Sequence, residues 1–226
     1  MCRKNITIPF KFWCYTDDPT DLDPRINVVD FYNQDLFPVV YNKLFILSKQ
    51  FRDLLQNDYD CVFFDLDMVI QHNIDRLFEH FGSSLKVIKA IWKPEEVFVP
   101  TMHHPYYNHN INSSCMLWKN NSCDDIWQHF VSRKEEMLDT YCFGMDAFLY
   151  YEIGLRGGLP EDMFFSYKYG IDLNLSESSR DANGMVHASR LRTIQEMIPI
   201  ILLNGLITTP EHYNFYELKF KRFYED

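Results

Sequence analysis

Cys61-Val62-Phe63-Phe64-Asp65-Leu66-Asp67-Met68-Val69-Ile70 decides how the rest of the chain is read. Cys61 to Phe64 is a continuous apolar run of the kind found in strands covered on both faces, and a charged pair stands just past its end. In open α/β sheets ligands bind beyond the carboxyl ends of the strands, which is where Asp65 and Asp67 fall. Residues i and i+2 at a strand end project to one side, so the two carboxylates can converge on one cation. Hard carboxylate oxygens select Mg²⁺ or Mn²⁺, and either ion can bridge to a diphosphate. By pattern alone, the pair reads either as such a cation site or as an acidic turn.

Working outward, Tyr41 to Leu55 carries Leu44, Phe45, Leu47, Phe51, Leu54 and Leu55 at three- and four-residue steps, which predicts one amphipathic helix. Before it, the aromatic stretch Phe10 to Thr16 predicts a strand stopped by Asp17-Asp18-Pro19. After the acidic pair come a short helix from Asn73 to Phe81, a strand from Leu85 to Trp92 and another from Asn112 to Trp118. Helices are predicted from about Asp124 to Leu138 and from about Met145 to Ile153. A last strand is predicted over Ile200 to Leu203, and a helical tail after Pro210. The rhythm is that of a single α/β domain over residues 1–226 with a mostly parallel sheet.

At 226 residues and 46% hydrophobic, the chain can bury the core of one such domain. Its formal charge of -10 and the lack of any stripe of Lys and Arg argue against nucleic acid as a partner. Six cysteines are scattered singly, which reads as buried reduced thiols rather than a disulfide framework. Arg3 and Lys4 precede no apolar run of signal length, and Met197 to Ile207 is interrupted by Pro199, Asn204 and Gly205. A cytoplasmic protein with no membrane span is expected.

Two families share the apolar strand followed by Asp-Leu-Asp. It resembles the nucleophile strand of haloacid-dehalogenase-type phosphatases, with Asp65 as the nucleophile. Those enzymes place a small residue or Gly and then Thr after the pair, whereas Met68-Val69 follow here. The block from Tyr41 to Phe81 is more specific: Tyr41-Asn42-Lys43-Leu44, then the apolar strand and acidic pair, then Asn73-Ile74-Asp75-Arg76-Leu77-Phe78. In that order these elements resemble glycosyltransferases of the family 8, glycogenin-like type. Downstream, Asn112-Ser113-Ser114-Cys115-Met116-Leu117 resembles the family's Asn-Ser-Gly-Val-Met-Leu strand, and Gly144-Met145-Asp146 its Gly-Asp-Gln-Asp segment.

The resemblance implies a GT-A fold, with one Rossmann-like domain whose mostly parallel central sheet is flanked by helices. It implies a hexose transferase that uses a nucleotide-diphosphate sugar, of UDP type, and a carbohydrate or other hydroxyl acceptor, with retention of configuration. Asp65 and Asp67 would bind Mn²⁺ or Mg²⁺ and the donor diphosphate. Lys43 would approach the nucleotide, and without the family it is a helix-surface cation. Asn112 and Ser113 would face the sugar or acceptor, or else satisfy backbone groups at a strand end. Asp146 would sit close to the reacting sugar, or else complement a helix dipole. Asp17 would line the donor pocket. Trp92, Tyr106 and Tyr107 would stack on an acceptor sugar or pack in the core.

Some family features differ. The late His-Gly and Lys-Pro pattern has Asn204-Gly205 and Thr209-Pro210 as its counterpart. Asn204 offers a neutral oxygen to the cation, whereas Thr209 cannot replace a Lys charge, which leaves His212 and Lys219 to compensate. Met1 falls near the end of the helix that follows the relatives' first strand, so that strand is expected to be absent. An inactive nucleotide-sugar binding remnant is the corresponding alternative.

Overall fold

Residues 1–30, 39–56, 59–91, 109–119, 122–142, 144–166 and 197–203 are described by the computed structural model. A one-turn helix, α1 (Cys2–Asn5), leads through an exposed segment into strand β1 (Trp13–Thr16). The strand stops where the sequence predicts: the Asp18 amide donates to Thr16 Oγ1, and Asp18 Oδ1 accepts from the Thr20 amide. β2 (Asn27–Asp30) then pairs with β1 in parallel, a strand the sequence reading misses.

The predicted single helix over Tyr41 to Leu55 is three pieces: α2 (Val39–Asn42), a 3-10 helix (Lys43–Leu47) and α3 (Lys49–Leu55). Ser48 divides them. It is extended at φ -71°, ψ 152°, and its side chain accepts from the Phe51 amide at 3.0 Å, so it is the N-cap of a new helix. The break keeps Leu44, Phe45, Leu47, Phe51 and Leu55 on the core side.

β3 (Cys61–Phe64) has the predicted bounds, and β4 (Met68–Ile70) follows after three residues. A 3-10 helix (Asp75–His80) stands where a short helix is predicted, and β5 (Lys86–Lys89) and β6 (Ile111–Trp118) are the next two strands. The helix predicted from Asp124 to Leu138 is interrupted at Arg133, giving α4 (Asp124–Ser132) and α5 (Lys134–Thr140). α6 (Met145–Ala147) runs directly into a π-helical turn over Phe148–Glu152. β7 (Phe164–Ser166) and β8 (Ile200–Leu202) complete the described strands.

The architecture is mixed α and β, but the sheet differs from the one expected. Among the described residues there are three small sheets, β1-β2, β3-β6-β5 and β4-β8-β7. Pairs β3-β6, β5-β6 and β4-β8 are antiparallel, and β1-β2 and β7-β8 are parallel, so the mostly parallel central sheet is not what these strands form. The turn at Asp65-Leu66-Asp67 takes the chain out of one sheet and into another within three residues.

β6 shows how the layers meet. Met116 and Trp118 face a helical layer that includes Tyr41, Leu47, Phe130 and Phe148, while Cys115 and Leu117 face Ile74, Leu77, Phe164 and Leu202. Both faces of β6 are covered, whereas β3, at the end of the strand order, is half-buried along its length and not fully covered as its continuous apolar run predicts. Among the described residues no helix is long and apolar enough to cross a membrane. All six cysteines are free thiols, but only Cys115 and Cys123 are buried and Cys142 is exposed.

One carboxylate ties the ends of α4 and α5 to the π-helical turn. Glu152 Oε1 accepts from His129 Nε2 and from an Arg133 guanidinium N–H, each at 2.7 Å, and Oε2 accepts from the Tyr141 hydroxyl at 2.8 Å. The Tyr141 hydrogen bond, then His129 and Arg133, hold its carboxyl below the usual glutamate range. A depressed acid stabilises the fold above its unfolded value, about 4.3, and that stability is lost as pH falls through the folded value. Glu152→Gln is therefore expected to be less stable than the parent at pH 7, with the difference shrinking below about pH 4.3. Urea denaturation at both pH values measures this, and a gap that stays constant would contradict it.

Candidate functional site

The site begins with a bulge. β6 pairs with β3 in unbroken register as far as Phe64 opposite Cys115, and the Asp65 amide continues the ladder by donating to the Ser114 carbonyl at 2.8 Å. On its other side the register jumps: Val87 of β5 faces Met116, but Ile88 faces Asn112. Ser113, Ser114 and Cys115 thus lie between two consecutive partners, which frees this stretch of backbone from β5. Two side chains take up amides of this stretch. Asn112 Oδ1 accepts from the Ser114 amide at 2.9 Å, and Asp146 Oδ1 accepts from the Ser113 amide at 3.0 Å.

Asp146 reaches the bulge because α6 starts there. Gly144 has φ +119°, a conformation that L side chains rarely adopt, and turns the chain into the helix that carries Asp146. Met145, Ala147 and Phe148 are buried on either side, which fixes the carboxylate's direction.

Lys43 opens the 3-10 helix that follows α2. Its ammonium lies 3.2 Å from Asp65 Oδ2, 3.5 Å from the Ser113 carbonyl oxygen and 5.9 Å from the centre of the Phe63 ring. The side chains of Lys43 and Asp65 are 22% and 28% exposed, so the pair is well shielded yet reachable from solvent. Burial raises the Asp65 pKa above the ordinary value. Lys43 and a hydrogen bond with the Ser114 side chain oppose the rise, and the nearby Asp67 charge adds to it. Behind Asp65, the Cys115 thiol is fully buried and pushed well up by desolvation and by that carboxylate.

Asp67 stands at the far side of the turn, whose tip, Leu66, is 95% exposed. The Asp67 carbonyl accepts from the Leu203 amide at 2.9 Å, tying the turn to the end of β8. Asn204, the predicted third metal ligand, lies outside the described residues, as do Thr209, His212, Lys219, Trp92, Tyr106 and Tyr107 and the tail after Pro210.

The structure therefore joins Lys43, Asp65, Ser113 and Asp146 by a chain of polar contacts, with Asn112 supporting the bulge and Asp67 close enough for its charge to act on Asp65. Asp17 is exposed in the turn after β1, and no hydrogen bond or ion pair joins it to the others among the described residues. Ser113 presents its backbone rather than its hydroxyl to these partners. Ser114 is the contributor that motif reading misses. Two adjacent serines leading into the apolar run Cys115 to Trp118 were the available signal.

Asp65 and Asp67 offer hard carboxylate oxygens of the kind a divalent cation takes; the Asp67 charge acts against that of Asp65, and Asp65 is partly desolvated, so a cation bound beside them would offset both effects. Among the described residues no three His, Cys, Asp or Glu side chains gather to form a site complete in itself. The remaining positions would fall to water, to a ligand's phosphate oxygens or to Asn204. No protein-family model and no curated protein matches the chain.

Proposed function

We propose that this chain is a metal-dependent glycosyltransferase that moves a hexose from a nucleotide-diphosphate sugar, of UDP type, to a hydroxyl acceptor, with retention at the anomeric carbon. The observation that carries the reading is the convergence of Lys43, Asp65, Ser113 and Asp146, from four separated stretches of sequence, beside the end of β3. Asp65 and Asp67 would hold Mn²⁺ or Mg²⁺, which supplies charge stabilisation to the departing diphosphate. Lys43 would add a second positive charge at that place. Asp146 would orient the reacting sugar from the bulge it already anchors, with Asn112 on the acceptor side and Asp17 towards the donor.

The finer fold belongs to the same proposal: one GT-A type domain spanning residues 1–226, with the described sheets as its parts. A phosphohydrolase using Asp65 as nucleophile would exploit the same Lys43 pair, but it gives the bulge and Asp146 no task.

A thermal-shift screen of nucleotide-sugars with and without Mn²⁺ tests the reading. A donor at a hundred times its dissociation constant stabilises the fold by about 2.7 kcal/mol, or about 5–10 °C in a chain of this size. The expected result is a rise of that order with a UDP-sugar only when Mn²⁺ is present. No shift with any nucleotide-sugar in Mn²⁺ would sink the proposal, and phosphate release from simple phosphoesters would favour the hydrolase.

A further inference from the structure

A concavity of about 340 Å³ lies at the amino ends of β1 and β2, lined by Arg3, Lys11, Arg25, Asn27, Phe10 and Phe12 among others. It is at the opposite end of β1 from Asp17, and none of Lys43, Asp65 or Asp146 lines it. Its polar lining is cationic or donor-bearing, in a chain whose formal charge is -10. Thr7 to Phe12 is exposed throughout, so the two phenylalanine rings are presented to solvent beside the cations rather than packed away. Solvent-facing aromatic rings in a concavity that three cationic residues also line suit a ligand with both an apolar portion and an anionic group.

The lining is held in place. Asn27 donates to the Phe12 carbonyl from its backbone amide at 3.0 Å and from its side chain at 2.9 Å, which fixes the back of the concavity. Lys11 lies over the Tyr59 ring, 5.4 Å from its centre. The Arg25 guanidinium is paired with Asp23, its Nε donating at 2.8 and 2.9 Å to the two carboxylate oxygens. Asp23 also feels Arg3, and these partners, Arg25 first, hold its carboxyl far below the usual range. Asp23 thus already gives Arg25 the kind of anionic partner that a ligand would offer.

The geometry points to a second ligand site here, for an organic phosphate with a small apolar group, which competes with Asp23 for Arg25 while its apolar part rests on Phe10 and Phe12. Arginine and lysine favour phosphate through charge-assisted hydrogen bonds, bidentate in the case of arginine. The volume lies at the low end for small-molecule pockets, which suits a single ring or a short alkyl group and not a dinucleotide. The site stands independently of the glycosyltransferase reading.

Isothermal titration of the full chain with phenyl phosphate tests it. Saturable binding is expected, stronger than that of inorganic phosphate. Arg25→Gln and Lys11→Gln should each weaken it about two- to five-fold, and Arg3→Gln, Lys11→Gln and Arg25→Gln together at least about tenfold. Asp23→Asn keeps an oxygen for the turn but removes the competing charge, so it should strengthen binding about two- to five-fold, a gain that misfolding cannot mimic. Asp67→Asn should leave phenyl phosphate affinity unchanged. Cosedimentation with phosphatidate vesicles but not with phosphatidylcholine vesicles, lost in the triple variant, would assign the phosphate to a lipid headgroup; phenyl phosphate binding without cosedimentation would assign it to a soluble ligand. The site is overturned if phenyl phosphate does not bind, if the triple variant binds it as well as the parent, if Asp23→Asn fails to strengthen binding, or if Asp67→Asn abolishes it.

Discussion

Phe148→Ala is expected to lower the free energy of unfolding by about 3–5 kcal/mol, the range for emptying a buried phenylalanine site. The side chain is fully buried in the π-helical turn after α6. Its ring meets Phe130 edge-on at 5.3 Å and Tyr141 at 6.0 Å, and it stacks with His129 at 6.4 Å. These neighbours cannot close the gap easily. Phe130 is stacked on Tyr41 at 5.1 Å, and Tyr141 is fixed both by the Tyr41 hydroxyl bonded to its carbonyl and by its own hydroxyl bonded to Glu152. Collapse would therefore drag several anchored elements, which places the cost in the upper part of the range. Val131→Ala on the exposed face of α4 is the control, with an expected change of less than about 0.5 kcal/mol. Urea denaturation of both variants measures the difference, and a loss under about 1.5 kcal/mol for Phe148→Ala would mean that the layer repacks freely. Because Asp146 lies two residues before Phe148, the same change should loosen its bond to the Ser113 amide.

The elements that were legible in the sequence are those whose signal is local. Cys61 to Phe64 is a strand with the bounds predicted because an unbroken apolar run between Asp60 and Asp65 leaves little choice. Periodicity found the helical stretch from Tyr41 to Leu55 but not its division, since Ser48 interrupts the helix by capping the next one while leaving the apolar spacing intact. β2, β4 and β7, of three or four residues each, are too short for alternation to register. Sheet direction was not readable at all: whether β6 runs parallel or antiparallel to β3 depends on partners about fifty residues apart, and no local pattern encodes it. For the candidate site, motif order brought Lys43, Asp65, Ser113 and Asp146 to notice. The register jump that frees the Ser113 amide for Asp146 could be seen only in the fold.

Asp65→Asn should separate ligand binding from stability more sharply than any other single change. Under the glycosyltransferase reading it removes a charged cation ligand, and the loss in Mn²⁺-dependent UDP-sugar affinity should be at least about a hundredfold, beyond the 10–100-fold typical of residues that only support a metal ligand. The fold should not suffer in parallel. Burial raises the Asp65 pKa, so the folded protein holds that proton more tightly than the unfolded chain does, and ionisation at neutral pH works against folding. The stability linked to a raised carboxyl is fully present below its ordinary value, near 3.9, and is lost as pH rises through the raised value. Asparagine removes that penalty and keeps an oxygen that Lys43 can donate to. Without ligand, the variant is thus expected to be at least as stable as the parent at pH 7, with any advantage fading as pH falls towards 4. Calorimetric unfolding across that range, paired with UDP-sugar titration in Mn²⁺, measures both halves. A variant that binds the donor normally but unfolds more easily at pH 7 would show Asp65 to be a structural partner of Lys43, and would remove the residue on which the proposed cation site depends.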